Sequence, residues 1–118
     1  MKDYKDLLVW QKSHFFALAI YQITRTFPRE EIYGLTSQMR RCSISVPSNI
    51  SEGCGRLSDK ELAHFLVIAS GSASELDYQL MLSKDLLYID SQVYEQLNQN
   101  LTEIRKMLNA FIKKLNSK

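Results

Sequence analysis

The stretch of residues 33–53 constrains the fold most, because its apolar pattern is helical although the stretch contains a proline. Its apolar side chains recur every three or four residues, as on one face of a helix: Leu35, Met39, Cys42, Val46 and Ile50. Residues 42–46 also alternate between apolar and polar, as in a strand, but the helical stripe is the longer pattern. The sequence therefore predicts a helix here.

Pro47 falls inside this predicted helix. A proline removes a backbone donor and clashes with the carbonyl four residues earlier, which costs about 3 kcal/mol in a helix interior. Nearby hydroxyls are suited to bond the backbone groups that the proline frees: Ser43, Ser45, Ser48 and Ser51. We therefore expect a proline-kinked second helix.

Two runs around this proline carry a family resemblance. Residues 33–41 are Tyr-Gly-Leu-Thr-Ser-Gln-Met-Arg-Arg, and residues 45–53 are Ser-Val-Pro-Ser-Asn-Ile-Ser-Glu-Gly. They resemble the four-helix-bundle proteins encoded in intervening sequences of 23S ribosomal RNA genes, a family similar to the accessory protein of diversity-generating retroelements. Shorter matches occur at residues 6–10, 27–30 and 69–76. The resemblance implies a homopentameric barrel of four-helix protomers with affinity for nucleic acid.

Length and composition indicate a single domain over residues 1–118. Two prolines and four glycines are too few to punctuate an all-β fold, so we expect few, long elements. No run of 18 apolar residues and no signal-peptide pattern occurs, so a cytoplasmic location is expected. The net charge of +2 permits an anionic partner without requiring one.

The patterns predict an all-α, up-down-up-down antiparallel four-helix bundle. The helices are expected at about residues 7–26, 30–52, 58–84 and 91–115. Asp6 is the expected N-cap of the first helix, and Glu30 and Glu31 suit the N-terminus of the second. Ser58 and Glu61 form a capping box at the start of the third.

The first, third and fourth helices carry further packing signals. Apolar residues of the first cover more than one stripe, which predicts that more than one neighbour, and hence oligomerisation, is needed to bury them. The small residues 69–74 predict a close helix–helix approach. The fourth helix has an unbroken heptad seam: Tyr94, Leu97, Leu101, Ile104, Leu108, Phe111 and Leu115.

Signals for catalysis or cofactor binding are weak. Glu61 and His64 form one Glu-x-x-His pair, whereas a di-metal bundle site needs two such pairs and two more glutamates. The chain also lacks a nucleophile elbow and a P-loop. Cys42 falls on the apolar stripe and is expected to be a buried thiol. We therefore predict that the chain is not an enzyme and that it binds no metal or cofactor.

Polar residues in the second helix leave two interpretations open. Asn49 and Glu52 fall at or beside the apolar stripe, so they either join a polar network with Gln38, Arg40 or Arg41 or form a solvated helix end. We group them in a structural or interface motif: Gln38, Pro47, Asn49, Glu52 and Gly53. The run Gly53-Cys54-Gly55 is also expected to close the helix.

Basic residues provide the candidate nucleic-acid contacts: Arg40, Arg41, Arg56, Lys60, Arg105, Lys106, Lys113 and Lys114. After Glu103 the chain has five cations and no carboxylate. They form either a solvated face or a patch that a ring of copies repeats, so that phosphate contacts accumulate without base-specific readout. The alternative function is a scaffold or adaptor whose first helix docks a protein partner such as a reverse transcriptase.

Overall fold

Four α-helices make up most of the protein in the computed structural model, which describes residues 3–117. They are α1 (Leu8–Thr24), α2 (Leu35–Cys54), α3 (Asp59–Asp85) and α4 (Ser91–Asn116). Short 3-10 turns at Tyr4–Asp6 and Arg29–Glu31 precede α1 and α2, and the described chain contains no strand. The all-α prediction with four helices is confirmed.

Each helix packs against the next along the chain, and α1 also contacts α4. Contacts between α2 and α3 pair rising residue numbers in one helix with falling numbers in the other: Met39 with Ser83, Ser45 with Ser72, and Gly53 with Leu62. The Cα atoms of α1 and α3 do not approach within 8 Å. These two helices therefore lie at opposite corners of the molecule.

The core lies along the inner stripe of every helix. Its fully enclosed side chains include Ile20 from α1, Ile50 from α2, Leu66 from α3 and Leu108 from α4. The seam predicted for α4 is confirmed, since all seven of its residues are buried or half-buried. Within residues 3–117 no helix is long and apolar enough to cross a membrane.

The start of α1 differs from the prediction. Asp6 is not an N-cap, because it lies in the preceding 3-10 turn and Leu7 occupies the cap position without a side-chain bond. Asp3 nucleates that turn by accepting the N–H of Lys5 at 3.0 Å. The Asp3 carboxylate therefore stabilises a 3-10 turn at Tyr4–Asp6, and α1 begins only after this turn.

The start of α2 also lies later than expected. The chain makes a short turn after Pro28 and then passes through Gly34, so that α2 begins at Leu35 rather than near residue 30. The carboxylate of Glu31 reaches forward and accepts the N–H of Leu35 at 3.0 Å. Glu31 was expected inside the first turn of α2. It lies instead in the 3-10 turn that precedes α2 and caps the helix from there.

The end of α2 lies beyond Gly53, which is inside the helix. A Cβ built on Gly53 would lie 2.8 Å from Cδ1 of Leu62 and 3.0 Å from Cβ of Phe65. Gly53 therefore permits close packing of α2 on α3, and the helix closes within the predicted run at Gly55, its C-cap. The helix also continues through Pro47, whose side chain is buried.

Helix α3 has its predicted cap, and its small residues meet α2 at Ser72, with Ala69 and Ala73 fully buried, but Gly71 takes no part in this contact. Ser58 Oγ accepts the N–H of Glu61 at 3.1 Å and donates to the Glu61 carboxylate at 3.2 Å. Gly71, in contrast, is exposed, and a Cβ built on it would meet nothing within 4 Å. The close approach predicted for residues 69–74 is therefore made by the side of α3 that faces α2 and not by Gly71.

Candidate nucleic-acid interface

Three exposed lysines lie along the second half of α4. Lys106, Lys113 and Lys114 form no ion pair with any residue from 3 to 117. Arg105, in contrast, is half-buried and reaches Asp77 at 3.5 Å and the Ser74 hydroxyl at 3.3 Å. The structure therefore separates three free cations of α4 from one that is engaged by α3.

The turn between α2 and α3 lies at the same end as the last turns of α4. Cys54, Leu62 and Leu115 line one open cavity of about 770 Å³ there. Lys60 is exposed on this turn and unpaired within the described chain. We refer to the exposed, unpaired residues Lys60, Lys106, Lys113 and Lys114 as the basic cluster.

Arg56 lies near this cluster but is partly committed to its own surroundings. Its guanidinium is 3.4 Å from the Glu52 carboxylate and lies over the Phe65 ring at 4.9 Å from the centroid. Glu52 is exposed, so this ion pair, and not a buried network, is its environment. An exposed pair of this kind contributes little to stability and can exchange for a phosphate.

Arg40 is engaged inside the protomer. It donates to Thr24 Oγ1 at 2.9 Å and to the Tyr21 carbonyl at 3.3 Å, and it lies over the Tyr21 ring at 4.7 Å from the centroid. These contacts fasten α2 to the last turn of α1, where a cation suits the helix dipole. Arg41 is exposed on another face of α2, so the adjacent arginines do not form one surface.

A small polar network surrounds Asn49 of the motif. Its side-chain amide donates to the Ser45 carbonyl at 2.8 Å and to the Ser45 hydroxyl at 3.0 Å. The hydroxyls of Ser45 and Ser72 share a hydrogen bond of 2.7 Å, which extends the network to α3. The partners are thus serines and not Gln38, which is exposed, or the two arginines.

The residues with metal-binding or nucleophilic chemistry are occupied by structural contacts. Glu61 accepts the Ser58 hydroxyl, and the His64 ring packs edge-on against Phe65. No group of three or more metal-ligating side chains comes together within residues 3–117. Both Cys42 and Cys54 are buried, as expected for Cys42, and burial raises the pKa of each thiol.

A side-chain hydrogen bond that the sequence does not reveal links two turns at the end of the molecule away from the α2–α3 turn. We call it the Glu31–Tyr88 clasp. The Glu31 carboxylate accepts the Leu35 N–H and, at 2.8 Å, the hydroxyl of Tyr88. The bond from the Leu35 N–H has the larger effect and the bond from the Tyr88 hydroxyl the smaller, and both hold the pKa of Glu31 below its ordinary value. The same carboxylate raises the pKa of Tyr88. Tyr88 is far along the chain, so no local pattern could have paired it with Glu31.

Exposed apolar side chains concentrate on α1 and α3. Leu8, Phe15 and Leu18 project from α1, and Phe15 is 66% exposed. Their α3 counterparts are Val67, Ile68, Tyr78 and Met81. From residue 91 to 116 no large apolar side chain is exposed, so the outer side of α4 is polar. The excess apolar surface predicted for α1 is therefore confirmed.

Comparison with known proteins identifies the family. The model of the 23S rRNA-intervening sequence protein family matches residues 5–110. A crystal structure from Bacteroides thetaiotaomicron, described as a protein of unknown function from the S23 ribosomal protein family, is similar in fold, with a TM-score of 0.81. It is 31% identical, and the match covers 90% of this chain and 99% of that one. No curated protein matches. The chain thus belongs to the 23S rRNA-intervening sequence protein family.

Proposed function

We propose that this chain is a non-enzymatic, oligomeric accessory protein that binds RNA or DNA through symmetry-repeated basic patches, without reading base sequence. The observation that carries the proposal is the basic cluster, whose four lysines are exposed and unpaired within residues 3–117. Phosphate groups are the abundant anions that such free ammonium groups bind. The proposal places the protein in the cytoplasm.

The mechanism is electrostatic. Each lysine that contacts a phosphate releases a condensed counterion, so affinity increases with the number of contacts. Lys106 and Lys113 are seven residues apart and therefore share one side of α4. Acids are present near the cluster at Asp59 and Glu61, so one protomer offers only a modest patch. Repetition in an oligomer supplies the remaining contacts.

The proposed oligomer is a homopentamer of up-down-up-down protomers with a kink at Pro47. Three exposed apolar residues of α1 support self-association, because burying such side chains contributes about 1.5–3 kcal/mol each. The opposite residue order in the α2–α3 contacts supports the antiparallel arrangement. The number five is drawn from the family resemblance.

Salt titration of binding to a structured RNA and to duplex DNA tests the proposal. The logarithm of the association constant should fall linearly with the logarithm of salt concentration, by about 0.9 per phosphate contact on B-DNA. Lys113→Glu should weaken binding and flatten that slope by about one per copy in contact. Arg29→Glu is the matched control, since Arg29 is exposed and unpaired in the described part of the chain but lies at the other end. Binding that is absent, or insensitive to salt, would refute the proposal.

A second candidate is a protein–protein scaffold that docks a partner such as a reverse transcriptase. The exposed apolar surfaces of α1 and α3 favour it, because large exposed apolar patches mark interaction sites. Capture of a defined partner by the purified protein after nuclease treatment would support this function. Loss of that capture on nuclease treatment would instead support a nucleic-acid bridge.

A further inference from the structure

A groove of about 380 Å³ between α1 and α2 has an aromatic lining. Its rings come from Tyr4 and from three residues of α1, namely Trp10, His14 and Tyr21. Helix α2 contributes apolar side chains and two hydroxyls: Ile44, Pro47, Ser48 and Ser51. Aromatic walls with a few polar groups are typical of binding sites for small planar ligands. We call this site the α1–α2 groove.

Two of its rings are already stacked on each other. The centroids of Trp10 and His14 are 5.1 Å apart, and their planes differ by 4°. Tyr4 supports this stack, since its ring lies edge-on to Trp10 at 4.9 Å. His14 is exposed, so the stack ends in a ring that solvent reaches. A further planar ring can extend the stack at His14, and every nucleic acid base has a suitable face.

Ala17 keeps space open beside this stack. It lies between His14 and Tyr21 along α1, and all three line the groove. Its methyl group leaves room between the two rings for an inserted ligand. The guanidinium of Arg40 lies over the Tyr21 ring at 4.7 Å from the centroid, which places a positive charge at this end of the groove.

Charge on the two helices favours an anionic ligand. Helix α1 contains no carboxylate, and Glu52 is the only one in α2, whereas acids outnumber cations in α3. Arg41 is exposed and forms no ion pair with any residue from 3 to 117. It shares the outer side of α2 with Ile44, three residues further on, so it lies beside the groove.

A second cavity continues the groove towards the end of α2. Both cavities are lined by Ser48 and Ser51, and the second also by Arg56. Arg56 Nη2 donates to the Glu52 carboxylate, but its buried Nε has no acceptor among the described residues. A phosphate in place of Glu52 would accept from both nitrogens, the bidentate geometry that arginine favours. Arginines therefore lie near both ends of the combined groove.

We infer that a single-stranded segment of nucleic acid binds in the α1–α2 groove. Its bases stack from His14 towards Tyr21, and its phosphates contact Arg41 and Arg56. These arginines are fifteen residues apart, or about 22 Å along α2, and a stacked strand rises about 3.4 Å per nucleotide. About six or seven nucleotides therefore span the groove.

A single strand is needed because a duplex presents the edges of its bases, and not their faces, to a protein. The inference rests on the nucleic-acid binding of the proposed function and specifies the form of nucleic acid and the place of its bases. Stacking accepts any base, so it agrees with binding that does not read sequence.

Trp10 is the only tryptophan of the chain, so its fluorescence reports on the groove. The probes are an oligothymidylate of about twelve nucleotides and an abasic strand of the same length and charge. The oligothymidylate should quench Trp10 and bind about tenfold more tightly than the abasic strand. Equal affinity for the two strands, without quenching, would overturn the inference.

Substitution of His14 tests the stack itself. His14→Ala changes an exposed side chain and should fold normally by circular dichroism. It should weaken oligothymidylate binding about tenfold and leave the affinity for the abasic strand unchanged. His64→Ala is the matched control, because His64 is an exposed histidine of α3, outside the groove, and both affinities should stay at the wild-type level.

Two further outcomes would also count against the groove. Unchanged oligothymidylate binding by His14→Ala would overturn the inference. Trp10 fluorescence that changes with protein concentration, and not with added strand, would overturn it by assigning the groove to a second copy. Salt-dependent binding of structured RNA and duplex DNA would survive either result, since it depends on the basic cluster. Failure of every nucleic acid to bind would refute the proposed function itself.

Discussion

The hydroxyl of Tyr88 donates a 2.8 Å hydrogen bond to the carboxylate of Glu31, which also accepts the N–H of Leu35. The turn after α3 is thereby tied to the N-terminus of α2. Gly34 makes room for this arrangement, since a Cβ there would lie 2.6 Å from Oε1 of Glu31. One carboxylate thus serves as a helix cap and as a link between two turns.

Tyr88→Phe should lower the thermal unfolding temperature at neutral pH. The pKa of Glu31 is depressed, so its stabilising contribution is present above its ordinary value of 4.5 and is lost as pH falls through the lower folded value. The difference between wild type and Tyr88→Phe should therefore shrink in acid. It should also shrink in strong alkali, because the Tyr88 pKa is raised above its ordinary value of 10.0 and the hydroxyl then ionises.

Differential scanning calorimetry across this pH range makes the measurement. Tyr33→Phe is the matched control, because Tyr33 is 95% exposed and makes no hydrogen bond within the described chain. An equal loss of stability in both variants, or a difference that is constant down to the acid transition, would contradict the clasp.

Gly53→Ala should destabilise the protein, although alanine is normally the better helix former. The new Cβ would lie 2.8 Å from Cδ1 of Leu62, and forcing space into a packed interface costs about 1–3 kcal/mol. Gly55→Ala is the matched control, because its Cβ meets only ordinary contacts at 3.5 Å or more and φ is −82°. Urea denaturation should show a clear loss for Gly53→Ala and a change within about 0.5 kcal/mol for Gly55→Ala. Equal stability of the two variants would disprove close packing at Gly53.

Local patterns predicted the parts of the fold that depend on neighbours in sequence. The Ser58 cap needs only Glu61, three residues away, and the α4 seam needs only the spacing of Leu97, Leu101 and Ile104. Asp6 shows the limit of that approach, since a competing acid at Asp3 starts a turn first. Boundaries are fixed by such small local differences in hydrogen bonding.

The candidate site was predicted in composition but not in arrangement. A list of basic residues does not say which of them find partners within the protomer, and the partner of Arg40 at Thr24 is sixteen residues away, in another helix. Lys106 and Lys113 remained free because their side of α4 faces no other element of the described chain. Only the packed structure separates the two cases.

Ser45 and Ser72 should show energetic coupling in a double-mutant cycle. Their hydroxyls share a 2.7 Å hydrogen bond. Ser72→Ala leaves the Ser45 hydroxyl bonded to Asn49 alone, whereas Ser45→Ala removes the bond of the Ser72 hydroxyl. A net hydrogen bond contributes about 0.5–1.5 kcal/mol, so the coupling energy should fall in that range. Urea denaturation of the two single variants and the double variant measures it. Ser48→Ala removes an exposed hydroxyl next to Pro47, and its effect on stability should be additive with that of Ser72→Ala.

Arg40 and Arg41 should have opposite phenotypes although they are adjacent. Arg40→Ala removes two hydrogen bonds and a ring contact that fasten α2 to α1, which should cost about 1.5–3 kcal/mol of stability. Arg41→Ala removes an exposed side chain and should change stability by less than about 0.5 kcal/mol. Denaturant titration gives the stabilities, and salt-dependent titration with RNA, under conditions where both variants are folded, gives the binding. Because the guanidinium of Arg40 already bonds Thr24 and the Tyr21 carbonyl, its loss should leave the salt slope unchanged. A reduced slope for folded Arg40→Ala would instead return Arg40 to the set of phosphate contacts.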